Sequence, residues 1–166
     1  MGMKEALLAE FQNESVSTRK VLERTPEKSF TWKPHEKSMS LGRLSQHLAE
    51  IPQWVEASLT KDELDFATMD YKQVDPASTA ELLKFFDDNV NAAVEIIKNT
   101  PEEEFMKNWT MRNGDKVYMT IPKAAVVRGF VMSHLIHHRG QMTVYLRMLD
   151  VPLPGIYGPS ADENTM

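Results

Sequence analysis

The sequence predicts an all-α fold, a four-helix bundle with a long crossover between helices 2 and 3 and a small β-hairpin before helix 4. Three observations lead there. Four stretches carry apolar residues at helical spacing. Residues 60–77 are polar, acidic and without periodicity, long enough to let the second and third helices run parallel. Asn113-Gly114 sits between loosely alternating apolar and polar residues, the pattern of a hairpin with a type I′ turn. At 166 residues and 19.0 kDa the chain, 1–166, is expected to form one domain.

The first helix is expected from about Lys4 to Arg24, where Leu7, Leu8, Phe11, Thr18 and Leu22 mark one face. Thr25-Pro26-Glu27 ends it, because the residue before a proline leaves helical geometry while the proline itself suits the first position of a new turn. The unit Thr25-Pro26-Glu27 through Phe30 is echoed by Thr100-Pro101-Glu102 through Phe105, each after a long helix; a Thr100–Glu103 capping box is available in the second copy. Ser38 or Ser40 can cap the second helix, which runs to about Ser58 with a kink around Leu48 to Pro52, where proline removes one backbone bond. Ser78-Thr79-Ala80-Glu81 begins the third helix, traced by Leu83, Phe86, Val90, Ala93 and Ile97 to about Asn99. The hairpin spans Trp109 to Met119. The fourth helix is expected from Thr120–Pro122 to Asp150, with Val127, Val131, His134, His138, Gln141 and Tyr145 in one row, and the Pro- and Gly-rich segment after Leu153, loop by composition, reads as an ordered or semi-ordered tail.

Composition removes several function classes. A net charge of −5 and a pI near 5.6 leave no basic surface for the phosphates of a nucleic acid. No apolar run reaches the roughly 18 residues of a membrane span and no secretory signal is apparent, so a soluble, cytoplasmic protein is expected, with no membrane partner. Cysteine is absent, which excludes disulfides and protein thiolates as ligands or nucleophiles. Any thiol chemistry would use a thiol from the substrate.

The chemistry concentrates in Ser133-His134-Leu135-Ile136-His137-His138-Arg139-Gly140-Gln141. Residues four apart on a helix stack on one face, so His134 and His138 can aim at a shared point, whereas His137 lies about 100° round the helix. A third ligand must come from elsewhere. His47 borders the buried stripe of Leu41, Leu44, Leu48, Ile51 and Val55; His35, in a polar connector, is the weaker candidate. Three histidines with open positions suit a catalytic rather than a structural metal site. Leu135 occupies the place where His-Glu-x-x-His metalloproteases keep their general base, so peptidase activity is disfavoured.

The segments Ser40 to Trp54 and His134 to Glu163, with His-x-x-x-His-Arg-Gly-Gln and then Pro154-Gly155-Ile156-Tyr157-Gly158-Pro159-Ser160-Ala161-Asp162-Glu163, resemble the DinB/YfiT-like superfamily. The resemblance covers nearly the whole chain. It implies a metal-binding four-helix bundle, often a homodimer, with ligands at His47, His134 and His138, in a superfamily that includes thiol-dependent S-transferases and isomerases. The expected cofactor is a divalent metal ion, Zn or Ni, with Fe or Cu as alternatives for imidazole ligands. The expected function is activation of water or a low-molecular-weight thiol as a small-molecule substrate; the alternatives are a metal-dependent hydrolase and a non-catalytic metal-binding or dimerisation bundle. Glu50, one turn from His47, and Tyr145, on the row of His138, are the candidate catalytic residues, and Gln141 is a candidate pocket residue. Arg139 is read first as a structural ion pair, and Trp32 and Trp54 as packing residues.

Overall fold

The computed structural model describes residues 2–163. Helix α1 (Met3–Leu22) buries Leu7, Phe11, Val21 and Leu22. The chain then turns through a short 3-10 segment, Glu27–Ser29, preceded by Pro26. The second helix of the bundle is broken: α2 (Leu41–Glu50) and α3 (Trp54–Leu59) are joined by a 3-10 turn at Ile51–Gln53. Pro52 lies in that turn, as its missing N–H requires. Ser40 caps α2 by accepting the Arg43 N–H. Strand β1 (Glu63–Asp65) follows, then α4 (Thr79–Asn99), capped by Ser78 accepting the Glu81 N–H. A third 3-10 turn, Glu102–Met106, leads into β2 (Asn108–Asn113) and β3 (Lys116–Pro122). The last helix comprises α5 (Lys123–Val126), a π-helical segment (Val127–Ser133) and α6 (His134–Met148).

Contacts between ends fix the topology. Thr79 opens α4 beside Thr25 and Glu27, just past the end of α1, while the Lys4 ammonium donates to Lys98 and Thr100 carbonyls at the far end of α4. These two helices are therefore antiparallel. Asn89 donates to the Ala49 carbonyl and pairs with Gln53, while Leu41 and Gly42 at the start of α2 bond back to Trp32 and Phe30 near the end of α1. Helices α2 and α4 thus begin at the same end and run parallel, and the chain must return the full length of the bundle through residues 60–78. That is the crossover the sequence predicts, and the reason it is long.

Several local expectations are corrected. The connector is not wholly irregular, because β1 pairs in parallel with β2 and makes the hairpin a three-stranded sheet of order β1-β2-β3. A parallel partner 45 or more residues away leaves no local signal, though it rescues a hairpin that alone would be marginal. The turn is not type I′: Gly114 has φ 56°, but Asn113 and Asp115 do not have positive φ. Thr100 does not cap the 3-10 turn; its hydroxyl donates back to the Ile96 carbonyl. The fourth helix is not continuous α, since the widened π turn stands immediately before His134.

Two apolar clusters hold the molecule. The main one joins α1, α2, α4 and α6 through residues such as Phe11, Leu48, Phe86, Val131, Leu135 and Leu146. The smaller joins the sheet to the bundle through Trp109, Met111 and Val126, with Trp54 and Phe130 packed on it, and the Trp109 indole donates to the Ala57 carbonyl. Residues 153–163 are tied to the bundle: Glu163 pairs with Arg24, Asp162 with Arg147, and Leu153 and Ile156 lie on the main core. No helix among the described residues is long and apolar enough to cross a membrane.

Candidate metal centre

His47 comes from α2, and His134 and His138 from the first turn of α6, which faces it; α2 and α6 run in opposite directions, with Ser45 beside Met142 and Trp54 stacked on Phe130. The three rings meet. Ring centroids lie 4.6–4.9 Å apart, and one nitrogen from each falls within 4.8 Å of the others. His47 Nε2 is 3.1 Å from His134 Nε2.

Two of the rings have a partner on the other nitrogen. His138 Nδ1 lies 2.7 Å from Gln141 Oε1, and His47 Nδ1 lies 3.7 Å from Glu50 Oε2. Partners of this kind fix the tautomer and leave Nε2 as the free lone pair. Two of the rings also favour the neutral state. Burial, reinforced by the neighbouring imidazoles, lowers the His134 pKa despite the Phe130 carbonyl. At His138 burial and the other three rings outweigh the Gln141 bond and push the pKa down to about 4. Three imidazoles converging from two helices are a donor set suited to a borderline divalent ion.

Glu50 is held by more than His47. Arg43, two turns earlier on α2, donates to both of its oxygens at 3.0 and 2.6 Å, and the Tyr71 hydroxyl donates at 3.1 Å. Burial would raise this carboxyl, but the contacts with His47, Arg43 and Tyr71 prevail and hold it at about 2. It is a fixed anion rather than a proton acceptor near neutral pH. Tyr145 instead packs edge-on against Trp32, with ring centroids 5.6 Å apart. His137 is exposed and outside the cluster, and exposed His35 takes part in a local turn with Lys37. Arg139 forms a buried ion pair with Glu14 at 2.6 Å, the structural role expected of it.

Sequence reasoning did not reach Tyr71 or the walls that the connector supplies. Beside His47 lies a cavity of about 480 Å³, lined by α2, α3 and residues 64–73. The signal was present: Phe66, Met69 and Tyr71 are large apolar residues in a segment that is otherwise polar. They return along α2 because the crossover has to.

A parallel-start bundle with a broken second helix and a three-histidine cluster across two facing helices defines the class of fold and site. The family model for the DinB family matches residues 1–165, and the chain belongs to that family. It is similar to the Bacillus subtilis (strain 168) protein YrdA, 24% identical over 156 residues that cover 94% of this chain and 89% of YrdA. Among solved structures, a DinB-like protein from Bacillus cereus ATCC 10987 superposes with a TM-score of 0.73 at 22% identity, covering 92% of this chain and 97% of that one. The DinB-like protein YjoA from Bacillus subtilis gives 0.68 at 19% identity, covering 87% and 92%. At these identities the two structures establish the fold alone.

Proposed function

We propose that His47, His134 and His138 hold a divalent metal ion and that the protein is a metal-dependent enzyme activating a small-molecule thiol, or water, in a transfer of the S-transferase type. The observation that carries the reading is the convergence of three imidazoles, two of them with the second nitrogen facing a side-chain partner, beside a cavity large enough for a small molecule. Zn–N distances of roughly 2.0–2.1 Å in a tetrahedral site place neighbouring nitrogens about 3.3 Å apart, close to the His47–His134 separation. A divalent ion held there supplies Lewis acidity that lowers the pKa of a water or thiol.

The chain's own residues do the rest. Gln141 and Glu50 orient the imidazoles, with Glu50 as a positioning residue because its carboxylate already accepts from Arg43 and Tyr71. Tyr145, packed edge-on against Trp32, takes no part in this cavity. The reading includes a homodimer, supported by exposed Val16 on α1 and Val144 and Met148 on the adjoining α6.

Metal analysis of untagged protein, followed by a thiol-conjugation screen with and without chelator, tests it. Stoichiometric metal and chelator-sensitive conjugation lost in His134→Ala are expected. Metal retained in His134→Ala, or conjugation indifferent to chelator, overturns the enzyme reading. If chelation instead collapses the melting temperature while no conjugation occurs, the ion is structural.

A further inference from the structure

The wall of the cavity beside His47 says what class of molecule fits it. Ile51, Trp54 and Leu64 form its base, and Met39, Phe66 and Met69 rise around it with side chains 39–43% exposed for the last two and the first. Tyr71, also exposed, closes the side nearest the histidines through its bonds to Glu50 and Arg43. Large apolar side chains exposed singly are ordinary, but these gather round one concavity rather than scatter. Phe66 also meets Tyr118 of the sheet edge-on, at 6.3 Å between ring centroids.

Charge is the second observation. The ionised side chains on this wall are Arg43 and Glu50, and they neutralise one another through two short bonds at 3.0 and 2.6 Å. Both Glu50 oxygens and both terminal Arg43 nitrogens are committed to one another, so neither residue is available to pair with a charged ligand without stranding the other in a half-buried position. A ligand carboxylate or ammonium laid along this wall would lose water and gain no partner. Apolar surface would gain from the same desolvation.

We propose that this cavity is the binding site for an uncharged co-substrate with an aromatic or aliphatic body, lying against Trp54, Phe66 and Met69 with its reactive end toward the three histidines. The proposal rests on the metal-activation reading for its chemistry but not for its binding. The apolar body fills the volume between α2, α3 and the crossover, and the crossover supplies the wall that distinguishes one co-substrate from another. Met39, Phe66 and Met69 are therefore specificity-determining residues.

Titration with N-phenyl-1-naphthylamine, an uncharged aromatic whose fluorescence rises in apolar surroundings, tests the assignment on the full-length protein as purified. Saturable one-to-one binding is expected, weakened at least about tenfold by Met69→Glu and by Phe66→Glu, and unchanged by Met106→Glu, which alters an exposed apolar residue outside the cavity lining. Both wall positions are exposed, and circular dichroism of each variant confirms the fold. Absence of saturable binding, binding unmoved by both wall variants, or binding abolished by Met106→Glu overturns the proposal. Zinc affinity measured on the same proteins separates the two readings: wall variants that lose the probe and keep zinc support the cavity assignment. Probe binding with the stated pattern in a protein that takes up no zinc upholds the cavity and removes the metal.

Discussion

His47 Nε2 stands 3.1 Å from His134 Nε2, although the two residues are 87 positions apart in the chain. Two such nitrogens at this distance share a proton or share an ion, and the partners on the opposite ring nitrogens favour the ion. His134→Ala and His47→Ala are each expected to weaken zinc binding by more than about 100-fold, beyond the loss typical of an outer partner, with helical content kept. Competition against a chromophoric chelator measures it.

Gln141 and Glu50 touch the rings from behind. Loss of an outer partner typically costs about 10–100-fold in metal affinity, so Gln141→Ala and Glu50→Gln are each expected in that range. Glu50→Gln should be the more disruptive to the fold, because it leaves Arg43 half-buried with a neutral partner where it had two charge-assisted bonds. Titration calorimetry for zinc beside denaturant unfolding separates the two effects.

The protonation of these histidines sets a pH window. A histidine in the unfolded chain takes up its proton near pH 6.5, whereas folded His138 does so at about 4 and His134 below its ordinary value. Between those limits the unfolded chain binds more protons, so the metal-free protein is expected to lose stability as pH falls from about 6.5 toward 4 and to be insensitive to these groups above 7. Zinc affinity, which needs neutral rings, should fall over the lower part of that range. Melting curves at several pH values with and without zinc check both, and a metal-free stability that rises on acidification across this window contradicts the assignment.

How far the letters carried is visible at particular residues. The helices, the Ser40 and Ser78 caps and the break at Pro52 were legible because periodicity, capping and the missing proline N–H act within a turn or two. The histidine cluster was legible for a similar reason: His134 and His138 form a local pair, and His47 borders a second apolar stripe. The pairing of β1 with β2, the π turn before His134 and the packing of Tyr71 on Glu50 were not, since each depends on what tertiary contacts impose. The π turn is the most instructive. Val126 and Val127, then Val131 and Met132, are both buried as adjacent pairs, a spacing a regular helix cannot keep on one face, and widening the turn satisfies them while re-aiming the histidines that follow.

Arg139 illustrates how the signature around the site also holds the fold. Its guanidinium, 3% exposed, pairs with the Glu14 carboxylate at 2.6 Å, donates to the Glu14 carbonyl at 3.1 Å, and meets the Tyr157 hydroxyl, which in turn donates to Glu14 at 2.7 Å. One side chain thus ties α6, α1 and the tail together. Removing a single partner of a buried pair strands the other charge, at about 3–5 kcal/mol, whereas replacing both with apolar residues of similar volume is often neutral. Arg139→Ala and Glu14→Ala are each expected to destabilise by that amount, and the double variant Arg139→Met, Glu14→Leu to recover much of it. Tyr157→Phe should cost less, about 1 kcal/mol, because the pair survives without the hydroxyl. Denaturant unfolding of wild type and these four variants checks the order of stabilities. Zinc affinity at the histidines should stay within a few-fold of wild type in the double variant, since its rings and their partners lie on the other side of α6. A double variant no more stable than either single one would show that the charges contribute more than their own desolvation costs.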